Sequence, residues 1–230
     1  MAGIINALKV IGKKLRNCRI AVSGTGAAGI ACARLLAAAG CRDIIGVDST
    51  GIIYKGRRKN MNIAKKEFAG ETNPRLVKGG LAEAVKGADI FIGVSQPDVL
   101  TVDMLKTMGK DPIIFALSNP NPEIDPFEAE PHARVVATGR SDYANQVNNV
   151  LCFPGFFKGL LDCNASDITI EMKLAAAEAI ASVIGTDEIS EDYIIPTVFD
   201  ERVAPEVARA VVDAAIKAGV ARRKPKETTF

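Results

Sequence analysis

Along the chain, short runs of β-branched and aromatic residues alternate with longer Ala- and Leu-rich segments whose apolar positions recur at helical spacing. Five runs predict strands: 19–23, 43–48, 89–95, 112–117 and 134–138. Three of them contain Ile-Ile-Gly-Val, Ile-Phe-Ile-Gly-Val and Ile-Ile-Phe-Ala-Leu. These are continuously apolar, as strands covered on both faces must be. Helices are predicted over 27–39, 81–86 and 102–108, closed by Gly40, Gly87 and Gly109. The alternation predicts an α/β fold, a Rossmann-type doubly wound and mostly parallel sheet with helices added at both ends.

After the fifth strand the alternation stops. A Gly-, Asn- and Pro-containing passage from 139 to 155 leads into two helical segments, 170–184 and 203–218, closed by Gly185 and Gly219. Leu174, Ala177, Ala181 and Ile184 share one face of the first, which is expected to pack on the sheet. The expectation is one domain over 1–230, with its core at about 17–165, helices 166–221 packed on it, and a frayed tail from Arg222.

Composition narrows the function classes. With 48% hydrophobic and 24% charged residues in 230, the chain reads as a soluble globular protein able to bury a core without disulfides or metals. The longest stretch without charged side chains, 143–157, holds Asn145, Gln146, Asn148, Asn149 and Pro154, so no membrane span is expected. A net charge of +2 and 5% aromatics supply neither the basic stripe nor the stacking platform of a nucleic-acid binder. Five cysteines, without CxxC spacing, predict free thiols in a reducing compartment, the cytoplasm. The N-terminal stretch has no acid before Asp43, as in a transit peptide, but it is not Ser-rich and runs straight into the main motif.

That motif is Gly24-Thr25-Gly26-Ala27-Ala28-Gly29, placed between the first strand and an Ala-rich helix. Gly24 permits a tight turn, Gly26 lets the backbone approach a pyrophosphate, and Gly29 permits close helix–sheet packing. The helix N-terminus then turns its N–H groups toward the phosphates. Asp48 ends the second strand 19 residues beyond Gly29, where an acid accepts hydrogen bonds from the adenine ribose. It favours NAD, because a 2′-phosphate would meet a like charge there.

Ligands of such sheets sit beyond the carboxyl ends of the strands. The rule selects Val94, Ser95 and Gln96, then Asn119, and then Gly139-Arg140-Ser141-Asp142. It disposes of His132, the only histidine, which precedes the fifth strand and is expected in a surface loop. The acidic pairs Asp187-Glu188, Glu191-Asp192 and Asp200-Glu201 sit in polar connections and are expected to cap helices. The residues therefore offer a cofactor cradle but no catalytic proton-transfer group and no metal site.

The runs Phe115–Ile124, Val135–Asp142, Asn145–Val150 and Phe153–Gly155, in this order, resemble the NAD(P)-binding domain of malic enzymes, in particular the short bacterial type. The resemblance extends from Asn6 to Ala204. It implies NAD(P)-dependent oxidation of L-malate, metal-assisted decarboxylation and release of pyruvate. By resemblance, Gly24, Gly26, Ala27, Ala28 and Gly29 hold the pyrophosphate and Asp48 the ribose. Arg57 matches an arginine near the adenine ribose, which keeps NADP open. Asn119 and Asn149 match positions at the nicotinamide ribose and substrate, and Asn148 a further substrate-side asparagine. On residues alone, Asn148 and Asn149 could equally be helix-start caps.

Malic enzymes carry their catalytic Tyr and Lys, and the acids for Mg²⁺ or Mn²⁺, in a segment preceding this domain. Tyr54, Tyr143 and Tyr193 do not match that tyrosine. The expectation is a chain that binds NAD(H) without decarboxylating malate by itself, from a family that forms homo-oligomers. The alternatives are a non-catalytic NAD-binding or oligomerisation module that complements a separate catalytic segment, and another Rossmann dehydrogenase.

Overall fold

The computed structural model describes residues 1–225. In chain order the helices are α1 (Ala2–Val10), α2 (Ala27–Ala38), α3 (Ile63–Glu71), α4 (Leu81–Val85), α5 (Val102–Leu105), α6 (Pro126–Ala129), α7 (Phe153–Asp162), α8 (Ile170–Ser182) and α9 (Val203–Lys217). The strands are β1 (Arg19–Ser23), β2 (Asp43–Asp48), β3 (Gly51–Ile52), β4 (Ile90–Gly93), β5 (Ile113–Ala116) and β6 (Val135–Thr138). The described residues divide into two compact units, one of residues 11–146 and one combining 1–10 with 147–225.

The first unit is built on a six-stranded sheet in the order β3-β2-β1-β4-β5-β6. All neighbours are parallel except β3, which pairs antiparallel with β2 through Val47–Ile52 and Asp48–Gly51. The register sets Ile20 between Ile44 and Ile90, and Ile113 between Ile90 and Val135, so one apolar row crosses the sheet. The alternate row, Ile45, Ala21, Phe91 and Ile114, faces a core shared with Ala84 and Val85 of α4, Leu105 of α5 and Ala129 of α6. Both rows are buried, which explains why these strands read as continuous apolar runs. The chain leaves β1 toward β2 and returns to β4 on its other side, so a topological switch point lies between the carboxyl ends of β1 and β4.

The second unit is helical, with its own core of Met172, Ala176 and Ile180 from α8 and Val203, Val207 and Val211 from α9. Within this unit α8 packs against α9 and α1. Asn6 of α1 is buried and donates from Nδ2 to the carbonyls of Ala181 (2.9 Å) and Ile194 (3.1 Å), closing the end of α8. Helix α7 approaches α9 through glycines. A Cβ at Gly155 would lie 2.7 Å from Val207 Cβ, and one at Gly159 would lie 2.7 Å from the Ala208 carbonyl oxygen. Gly159→Ala should therefore push the helices apart and lower the urea unfolding free energy by about 1–2 kcal/mol. An unchanged midpoint would show that α9 yields without strain.

The tail expected to fray from Arg222 is held at its start. Arg222 N donates to the Cys163 carbonyl (3.1 Å), and Arg223 donates to the carbonyls of Asp162 (2.7 Å) and Leu161 (2.9 Å). The remainder of that expected tail, 226–230, lies outside the described residues. No helix among the described residues is long and apolar enough to cross a membrane.

Candidate functional site

The glycine loop leaves β1 at the switch point. Gly24 has a φ of +95°, in the region that favours glycine, and a Cβ there would stand 2.8 Å from the Val94 carbonyl carbon. Its N–H donates to the Val47 carbonyl (2.9 Å), while Val94 N donates to the Ser23 carbonyl (2.9 Å), so the loop is fastened to both neighbouring strands. A Cβ at Gly29 would overlap the carbonyl oxygen of Gly24, so α2 sits directly against the loop. At Gly26 a Cβ would meet nothing within 4 Å. Gly26 is the N-cap of α2 and supplies no side-chain cap, and the first turn carries no acid. The N–H groups of the helix start are thus left to an incoming acceptor. The Thr25 hydroxyl is buried and has no hydrogen-bond partner among the described residues. A buried hydroxyl beside an open helix N-terminus fits a group rich in acceptor oxygens, as a dinucleotide pyrophosphate is.

The loop opens onto a cavity of about 1100 Å³. Gly24, Gly26, Asp48, Arg57 and Ser95 line it together, with Gln96 on the same wall. Ala27 and Ala28 are exposed at the start of α2, and Gly29 is buried beneath it. Val94, partly buried, follows β4, and Asn119 is exposed beyond β5. Asn148 and Asn149 belong to the helical unit and are exposed; the Asn148 side chain accepts from Val150 N (3.0 Å), capping the short 3-10 turn Asn149–Leu151. Arg140 is held in a two-bond pair by Asp142 (2.8 and 2.6 Å). His132 is exposed in the 3-10 turn before β6, at the amino edge of the sheet.

Asp48 is held by four hydrogen bonds in the cavity. Its Oδ2 accepts from Arg57 Nη2 (2.6 Å), Lys65 Nζ (2.6 Å) and Asn60 Nδ2 (3.2 Å), and its Oδ1 from Thr50 N (2.8 Å). Its side chain is 8% exposed and that of Arg57 5%. Burial pulls the Asp48 carboxyl up, but the hydrogen bonds from Arg57, Lys65 and Thr50 outweigh it and hold the group below the ordinary aspartate value. Arg57 spends all five of its donors inside the protein: beyond Asp48, they reach the carbonyls of Gly51, Ile52, Lys59 and Asn60. It braces the loop after β3. The like-charge reading of Asp48 is changed accordingly, since two cations face that carboxylate and Arg58, Lys59 and Lys78 also line the cavity.

Lys65 and Asn60 lie outside the expected site, and Thr25 belongs to the glycine motif but carries no expected role of its own. Lys65 lies in the first turn of α3, whose N-cap Asn62 accepts from Lys65 N (2.9 Å). The N-cap asparagine before a helical turn was the available signal. Burial pushes the thiols of Cys18 and Cys41 up to about 11, which leaves them neutral and weakly nucleophilic. No group of three or more His, Cys, Asp or Glu among the described residues could hold a metal ion. These residues therefore do not fit the divalent metal of malic enzymes.

The family described as malic enzyme, NAD binding domain, matches residues 1–216. The NAD-dependent malic enzyme of Geobacillus stearothermophilus is 56% identical over 223 residues, covering 97% of this chain and 46% of that protein. The NADP-dependent malic enzyme of Haemophilus influenzae is 48% identical over 242 residues, covering 96% of this chain and 31% of that protein. The crystal structure of Entamoeba histolytica malic enzyme superposes with a TM-score of 0.92 at 40% identity, covering 99% of this chain and 48% of that one. The chain thus spans about half or less of the relatives it matches, and over nearly its whole length it belongs to the NAD-binding domain family of malic enzymes.

Proposed function

We propose that this chain is the dinucleotide-binding part of a cytoplasmic, homo-oligomeric malic enzyme that oxidises L-malate with NAD(P)⁺ and releases pyruvate. The observation that carries the reading is the meeting, in one cavity, of an uncapped helix start, a buried Thr25 hydroxyl without a partner among the described residues, and the Asp48 cluster. Gly24, Gly26 and the N-terminus of α2 would receive the pyrophosphate, with Gly29 holding the helix close. Asp48, oriented by Arg57 and Lys65, would receive the adenine ribose. Across the switch point, Val94, Ser95 and Asn119 follow β4 and β5, on the side left for the nicotinamide half. The bound oxidised cofactor supplies a hydride acceptor. Asn148 and Asn149, by the family's pattern, serve the substrate.

Calorimetric titration of the 230-residue chain with NADH tests the reading. Saturable one-to-one binding is expected, together with background-level pyruvate formation from malate, Mn²⁺ and NAD⁺. Absence of NADH binding would overturn the cofactor assignment. Robust pyruvate formation would overturn the claim that this polypeptide lacks the groups for decarboxylation.

A further inference from the structure

Glu123 is fully buried, and its hydrogen bonds run to main-chain and hydroxyl donors. Oε1 accepts from Ser95 N (2.8 Å) and Ser95 Oγ (3.3 Å), and Oε2 accepts from Ser118 N (3.0 Å). Its main-chain carbonyl accepts from Leu100 N (2.9 Å). Ser95 comes just after β4, and Ser118 follows β5 and immediately precedes Asn119. One carboxylate thus joins the two loops that leave adjacent strands on one side of the switch point. Ser95 Oγ also lies 2.9 Å from Ser23 Oγ at the end of β1, which extends the link to the strand feeding the glycine loop. Gly93 makes room for it, since a Cβ there would lie 2.5 Å from Oε2 and 2.6 Å from Oε1.

Burying a carboxylate is costly unless its oxygens are hydrogen-bonded, and an apolar side chain would fill the same space without that cost. What the carboxylate adds is the orientation of two peptide units, because each bound N–H fixes the plane of its peptide. We propose that Glu123 is a positioning residue that sets Ser95 and the Ser118–Asn119 peptide for the nicotinamide half of the cofactor, and that Gly93 is glycine to admit it. The inference rests on the cofactor reading above. It assigns Glu123 no contact with the ligand.

The test compares NADH with ADP, which lacks the nicotinamide ribose and ring, on the full chain. Glu123→Gln keeps the size but turns an N–H₂ toward one of the bound amides, so the two-point clamp is broken. NADH affinity is expected to fall about tenfold, the size of one lost charge-assisted hydrogen bond, while ADP affinity stays within about twofold. Gly93→Ala should give the same asymmetric loss by displacing the carboxylate. Equal weakening of both ligands, or of neither, overturns the proposal, because a purely structural role would not separate them. On the wild-type chain, NMR amide resonances of Ser95 and Ser118 should move with NADH and hold with ADP, a readout that needs no variant to fold. If they stay in place at saturating NADH, the proposal falls. A wild-type chain that binds neither ligand overturns the cofactor reading instead.

Discussion

Replacing Gly29 by alanine is expected to abolish dinucleotide binding and to lower the unfolding free energy by about 3 kcal/mol, the upper end for overpacking a tight site. The added methyl would overlap the Gly24 carbonyl oxygen and approach Val22 Cγ1 to 3.3 Å. Neither neighbour can yield cheaply: Gly24 is tied to β2 by its N–H, and Val22 lies inside β1. Helix α2 must therefore move off the loop, carrying its N–H groups away from the phosphate position. Gly26→Ala provides the contrast. Its φ of −83° suits any residue and its Cβ meets nothing, so stability should stay within about 0.5 kcal/mol of wild type. The methyl nevertheless occupies the space over the helix start, and NADH should bind at least about tenfold more weakly, a loss of about 1.4 kcal/mol. Urea unfolding and fluorescence titration of both variants separate the roles. A Gly29→Ala protein as stable as wild type, or a Gly26→Ala protein with wild-type affinity, would remove the basis for this loop assignment.

Features whose signal is local in sequence were legible in advance. The strands stand out because both faces are buried, and the glycine loop because strand, turn and helix are contiguous. The expected strands 89–95 and 112–117 overrun the carboxyl ends of β4 and β5 by two residues and one, since apolar character continues past the last ladder pair at Val94 and Leu117. Strand β3 was not foreseen: two residues carry no periodicity, and only the pairing with Val47 and Asp48 defines them. Helices α3 and α7 were hidden as well. In α3 only Phe68 and Ala69 are buried among Lys and Glu, and in α7 Gly155 and Gly159 stand where helix formers are usual. The site divides in the same way. Asp48 could be found by spacing from the glycines, but its partners Arg57 and Lys65 reach it only after the chain folds back through β3 and into α3. Glu123 is more distant still, 28 residues from the Ser95 amide that it binds. Nothing local marks it as more than one acid in a proline-rich loop.

Removing the Asp48 carboxylate should be the most costly polar substitution in the cavity. Asp48→Ala leaves Arg57 buried and unbalanced and takes one of the two acceptors of Lys65, and loss of one partner from a buried pair costs about 3 kcal/mol or more. The four carbonyls that hold Arg57 remain, so the chain should fold, with a looser segment between β3 and α3. The folded carboxyl titrates below its ordinary value, which fixes the sign of the pH effect. The contribution is complete above the ordinary aspartate value of about 4 and is lost as pH falls through the lower folded one, so wild type and variant should converge in stability on the acid side. NAD⁺ should bind the variant at least about tenfold more weakly, through loss of the ribose acceptor, a difference of about 1.4 kcal/mol. Lys65→Ala separates charge from hydrogen bonding at the same place. It leaves the Asp48–Arg57 pair intact but withdraws one of the two cations on the carboxylate, so NADP⁺ affinity should fall several-fold more than NAD⁺ affinity. Because that gap is electrostatic, it should shrink as salt is raised. A constant stability difference between Asp48→Ala and wild type from neutral to acid pH would show that the pair contributes nothing through ionisation. Equal losses of NAD⁺ and NADP⁺ in Lys65→Ala would mean that the cation serves the fold of the loop and not the choice of cofactor.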